Sequence, residues 1–232
     1  MAGEYQTIKV PDGEFRAYVA RPAAEKAPAV VVIQEIFGVN QVMRDITDGL
    51  AGQGYLAICP DLFWRIEPGI DITDKSKPEW DRAFQLFNTF DVEKGVQDIA
   101  ATVDHVRLDP QCAGKVGAVG FCLGGLLAFL TATRTSADAT VSYYGVGLDN
   151  VVGEAAGLAK PVMLHIAEED GFVPKVAQAQ ISAALRDKPN VTIHTYPGRD
   201  HAFARPGGEH FHQEDADKAG RRSLDFFKQH LG

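Results

Sequence analysis

Cysteine is scarce in this chain: Cys59, Cys112 and Cys122 are the only three in 232 residues. So few, so irregularly spaced, exclude a disulfide framework. They suit a reducing compartment, where a free thiol persists. Basic charge is scarce too. Lys and Arg number 23 against 31 Asp and Glu, a formal net charge of -8. That balance argues against a nucleic-acid backbone as partner, although one local arginine can still hold a small anion. No apolar run reaches the roughly 18 residues that span a bilayer. The opening MAGEYQTIKV has neither the basic start nor the apolar stretch of a secretory leader. The expectation is a cytoplasmic chain with no membrane partner. Neither G-x-x-x-x-G-K-S/T nor G-x-G-x-x-G occurs, so nucleotide binding has no support. Internal repeats and low-complexity linkers are missing as well.

What is present is a regular alternation. A 45% hydrophobic content over 232 residues suits one domain, 1–232. YQTIKV and EFRAYVA alternate apolar and polar positions around Pro11-Asp12-Gly13, a β-hairpin signal. Six apolar runs follow: APAVVVIQEIFG, GYLAICPDLF, KVGAVGFC, ATVSYYG, KPVMLHIAEED and VTIHTYPG. Runs of this kind fit strands buried on both faces. Helical patterns lie between and after them, at 41–53, 78–89, 91–107, 123–134, 174–186 and 215–230. The predicted class is α/β: a mostly parallel sheet with helices on both faces and an antiparallel hairpin at the N-terminus. The irregular stretch 62–77, LFWRIEPGIDITDKSK, is too long for a simple connector. Such loops are often functional, and it is expected to wall a site.

Ligands of open α/β sheets gather beyond the carboxyl ends of the strands. Four chemically capable residues stand there: Glu35, Cys122, Asp170 and His201. Cys122 lies in Gly120-x-Cys122-x-Gly124, between a predicted strand and a predicted helix. That is the nucleophile elbow with a thiol in place of the hydroxyl, and Cys…Asp…His is the chain order of an α/β-hydrolase triad. A helix N-terminus favours the thiolate. The Leu123 N–H is free to donate to an oxyanion, and a second donor is expected from Ile36 after the first buried strand. Each assignment has a plainer rival. Cys122 could be packing on a tight turn, Asp170 a helix cap, His201 a loop histidine and Glu35 a surface carboxylate. Glu168 and Glu169 compete with Asp170 for the acid. His165 and His194 fall inside strands and read as core or face residues. Cys59 reads as packing and Cys112 as part of a polar turn. His210, His212, Glu209 and Glu214 could hold zinc, but a hydrated loop is the expected reading and no metal is assigned. Leu224, Phe227 and Leu231 share the spacing of a docked helix face.

VVIQEIFGVN, YLAICPDLFWR, FDVEKGVQDI, KVGAVGFCLGG, SYYGVGL and DHAFAR span nearly the whole chain. Together they resemble the dienelactone hydrolase (carboxymethylenebutenolidase) family. The resemblance implies an α/β-hydrolase without a cofactor that opens a small, carboxylate-bearing enol-lactone, dienelactone, to maleylacetate. It implies Cys122 as nucleophile, His201 as base and acid oriented by Asp170, and Glu35 as the group that takes the thiol proton. It also implies Arg205 as the anchor of the substrate carboxylate, and a monomer. The family's second arginine falls on Trp80 by ungapped counting. Arg82 lies two positions further, about 200° around a helix. Either that helix is shifted, or Arg65 helps, or the substrate differs. A broader carboxylesterase or thioesterase with the same triad, and a non-catalytic binder of small ligands, are the alternatives.

Overall fold

The structure, a computed structural model, describes residues 3–232. Strands β1 (Glu4–Val10) and β2 (Gly13–Ala20) form the expected hairpin, closed at the Val10–Gly13 pair. Strands β3 (Ala27–Ile33), β4 (Leu56–Pro60), β5 (Cys112–Phe121), β6 (Ala139–Tyr143), β7 (Val162–Ala167) and β8 (Val191–Tyr196) complete one sheet. Its order is β1-β2-β4-β3-β5-β6-β7-β8. β2 joins β4 antiparallel, and every pairing from β4 to β8 is parallel. The β-branched run Val30-Val31-Val32-Ile33 of β3 is fully buried, as a central strand covered on both faces must be. β8 departs from that expectation. It is an edge strand, half-exposed over most of its length, because it has a neighbour on one side only. Cys112 also departs: it is the buried first residue of β5 rather than part of a polar turn.

Six α-helices connect and follow the strands: α1 (Gln41–Gly52), α2 (Lys77–Thr89), α3 (Val92–Arg107), α4 (Leu123–Arg134), α5 (Lys175–Leu185) and α6 (Gln213–Leu231). Two short 3₁₀ turns lie between β6 and β7. The helices cover both faces of the sheet. At Gly117 of β5, a Cβ would meet Phe227 and Leu231 of α6, whereas at Gly120 it would strike the backbone of α4. α4 is apolar and buried almost all round, as a helix packed between a sheet and neighbouring helices has to be. No helix among the described residues is long and apolar enough to cross a membrane.

The 62–77 stretch is organised by buried polar side chains. Asp61 accepts from the N–H groups of Phe63 and Gly69, at 3.0 and 2.7 Å. Buried Gln34 accepts from Leu62 N–H at 3.0 Å. The chain then passes so close to Gly38 (φ +77°) that a Cβ there would fall 2.0 Å from the Ile70 carbonyl oxygen. Ser76 caps α2, and Glu79 reaches back to the Thr73 N–H at 2.9 Å. The Gln34 bond, the close pass at Gly38 and the Ile72 N–H donating to the Phe37 carbonyl at 3.2 Å fasten the stretch to the segment after β3, where Glu35 and Ile36 lie.

Candidate active site

β5 ends at Phe121, α4 begins at Leu123, and Cys122 alone makes the corner. Its backbone sits at φ 58°, ψ -116°, a conformation that costs a non-glycine residue on the order of 1–3 kcal/mol. The corner is tight because α4 folds straight back on the sheet. A Cβ on Gly120 would lie 1.8 Å from the Gly124 carbonyl oxygen, and one on Gly124 2.4 Å from that of Ile33. Glycine is therefore required on both sides of the thiol. The same closeness brings the start of α4 beside the Gln34–Ile36 backbone. The N–H of Leu123, in the first turn of α4, lacks an intrahelical acceptor. Ile36 lines the cleft above Cys122.

Asp170 follows β7 and His201 follows β8, so the sheet order brings both to one edge of the cleft. His201 Nδ1 lies 2.9 Å from Asp170 Oδ2 and 3.1 Å from Oδ1. Asp170 is itself held, accepting from the N–H groups of Phe172 and Val173 at 2.8 and 3.1 Å. The N-cap of α5 is Pro174, not Asp170. Glu169 is exposed and pairs with Lys175, so it is no rival for the acid. Burial works against charge on His201, but the Cys122 sulfur and the Asp170 carboxylate outweigh it and push the imidazole up to about 10. The rings of Tyr144 and Phe172 abut His201 at 5.0 and 4.9 Å. Among the described residues, the non-glycine positions with positive φ are Cys122, Tyr144 and Ala202. All three stand at this site.

Glu35 is buried, not a surface carboxylate. Its Oε2 accepts from Arg205 Nη1 at 3.2 Å, and its Oε1 is buried with no partner. Arg205 is buried too, and its Nη2 donates to Asp74 Oδ2 at 2.8 Å. Asp74, from the 62–77 stretch, is a site residue that sequence reasoning missed; irregular loops carry no periodicity to single one carboxylate out. Tyr144 is a second. It lies in the SYYG run, but nothing in the pattern marks its buried hydroxyl, which has no partner. Burial, then the Glu35 charge, pushes its phenol well up, so it stays protonated. The cleft is walled by Phe37, Trp80, Phe84, Phe87, Val146 and Phe172.

Two of the predicted arginines are elsewhere. Arg82, expected as a substrate contact, is a correction. It lies on the outer side of α2, bonding Glu67 and Gln85, while Trp80, just over half a helical turn away, faces the cleft. Arg65 pairs with Asp12 and Asp98. His212 caps α6, and His210 sits 3.7 Å from Asp200. No cluster of three or more possible metal ligands occurs among the described residues.

A mostly parallel sheet of this order, with an elbow between β5 and α4, defines the α/β-hydrolase fold. Within that class, the model of the dienelactone hydrolase family matches residues 15–231, and the chain belongs to this family. It is 56% identical to a putative carboxymethylenebutenolidase of Azospirillum brasilense, over 95% of this chain and 96% of that one. It is 39% identical to a carboxymethylenebutenolidase of Pseudomonas putida, over 97% and 96%. A crystal structure of a putative dienelactone hydrolase from Klebsiella pneumoniae matches with a TM-score of 0.85 at 28% identity, covering 98% of each chain.

Proposed function

We propose that the chain hydrolyses small lactones or esters through Cys122, His201 and Asp170, assisted by Glu35. The observation carrying this reading is that the elbow thiol lines one cleft with an imidazole whose Nδ1 is gripped by a buried, braced carboxylate. The Cys122 thiolate attacks the substrate carbonyl. The oxyanion takes hydrogen bonds from the N–H groups of Leu123 and Ile36. Collapse breaks the acyl–oxygen bond, and His201 protonates the departing enolate or alkoxide. Water, deprotonated by His201, then attacks the acyl thioester and releases the thiolate. In the resting enzyme the unpaired Glu35 Oε1 is the acceptor for the thiol proton. On the lactone for which the relatives are named, the product would be maleylacetate. One chain holds every group the sequence of steps needs, so a monomer suffices. Turnover of a dienelactone and of a neutral aryl ester tests the reading. Cys122→Ala should fold normally and lose both activities by several orders of magnitude; retention of more than about a tenth would end it. The broader esterase reading is favoured by one observation: Arg205 is already bound to two carboxylates.

A further inference from the structure

We infer that this site selects uncharged, flat acyl groups, and that Asp74 turns carboxylate-bearing substrates away. The inference rests on the hydrolase reading above and names its substrate class. Arg205 is the one guanidinium among the residues lining the cleft, and the His201 imidazole beside it is already gripped by Asp170. To grip a carboxylate the guanidinium must present two N–H groups side by side. Nη1 is engaged by Glu35 at 3.2 Å and Nη2 by Asp74 at 2.8 Å. Nε has no partner, but it faces the Gly208 backbone, where a Cβ would lie 3.0 Å away. An incoming carboxylate would therefore have to displace one resident carboxylate and stay beside the other, a like-charge contact that disfavours binding. Asp74 is not free to swing out. Its side chain is 10% exposed, Lys75 Nζ lies 3.2 Å from its other oxygen, and its backbone carbonyl accepts from Trp80 Nε1 at 3.0 Å.

The bond to Trp80 links the excluded charge to the favoured shape. It fixes the indole edge-on to Phe37 at 5.1 Å and stacked on Phe84 at 5.5 Å. At the mouth, Phe84 and Phe172 face each other at 6.3 Å and are 39% and 47% exposed. Ring faces and edges line the route to Cys122, which suits a planar aromatic or unsaturated acyl group.

The test compares kcat/KM for a neutral aryl ester and for the same ester with a carboxylate on its acyl ring. The wild type should prefer the neutral ester by at least about tenfold, mainly through KM. Asp74→Asn should raise the charged-to-neutral ratio by at least about tenfold, within reach of one repulsive charge. A wild type that prefers the charged ester overturns the inference, and so does Asp74→Asn lowering both values equally. Calorimetric binding of the matching neutral and charged aryl amides to Cys122→Ala gives the same comparison without turnover. If no ester is hydrolysed but the neutral amide binds tighter, and Asp74→Asn narrows the gap, the hydrolase reading fails and the selectivity stands. If Cys122-dependent turnover is seen with the charged ester preferred, the selectivity alone fails.

Discussion

His165 and His201 are both buried and both lie on the β7–β8 side of the sheet, yet they are opposite instruments. His165 sits within β7. Its Nδ1 meets the Tyr196 hydroxyl at 2.8 Å and its Nε2 the Ser223 hydroxyl at 3.0 Å. No carboxylate touches it. Burial, followed by the charges of His194 and Arg222, holds its pKa well below the ordinary 6.5. His201 stands past the end of β8 on irregular backbone, with a carboxylate on one side and a thiol on the other, and it is pushed up to about 10. Burial, reinforced by neighbouring positive charge, therefore keeps one imidazole neutral. Burial beside a fixed negative charge favours the charged form of the other. The backbone repeats the contrast: β7 is regular, whereas Cys122, Tyr144 and Ala202 all carry positive φ. Strain gathers around the elbow and His201, and the hydroxyl-bonded histidine stays in relaxed strand.

The sharpest way to break this contrast is to take the charge from His201. Asp170→Asn keeps the shape and removes the carboxylate. We expect kcat to fall by about 10³–10⁴-fold, as when an equivalent acid is lost from a triad, with the melting temperature measured beside it to show that the fold survives. A loss under tenfold would make Asp170 a loop brace and nothing more.

The converse change falls on His165. His165→Phe fills the space but strips partners from Tyr196 and Ser223, which should cost about 1–3 kcal/mol in denaturant unfolding. kcat/KM of the folded enzyme should stay within about threefold. The same variant tests the titration. Below pH about 6.5 the unfolded chain binds a proton at His165 that the folded chain does not. That site's contribution is therefore fully present above 6.5 and lost on acidification, by up to about 1.4 kcal/mol per pH unit. His165→Phe should flatten the decline by that slope. An unchanged slope would show that His165 takes up its proton in the folded state.

A smaller loss of turnover than at Asp170 is expected at Glu35, which shares the charge of Arg205 with Asp74. Glu35→Gln should lower kcat by about tenfold, less than the loss of a full general acid–base group, because His201 carries the proton through each turnover. Wild-type steady-state kinetics would reduce Glu35 to a structural partner of Arg205.

The contrast between the two histidines was legible in the residue order itself. His165 falls inside an apolar strand run and His201 beyond one, and that difference alone separates core from cleft. The sheet, the six helices and the elbow were equally readable, since period and punctuation mark them. Position after a strand end also drew Glu35, Cys122, Asp170 and His201 together. What stayed hidden depends on side-chain direction and on long-range approach. Asp74 meets Arg205 only because the 62–77 stretch folds over the segment after β3. Trp80 and Arg82 are two residues apart, and only the rotation of α2 decides which enters the cleft. β8 read as a fully buried strand because the run VTIHTY says nothing about lying at a sheet edge.

The proposed hydrolysis requires the strained elbow thiol, paired with a charged His201, to make the covalent bond to substrate. The most direct measurement is peptide mapping by mass spectrometry of enzyme acid-quenched during turnover of an aryl ester. We predict the acyl mass on the peptide carrying Cys122, and its loss in Cys122→Ala. An acyl group on Cys59 or Cys112, or undiminished hydrolysis by Cys122→Ala with no adduct at all, would contradict it.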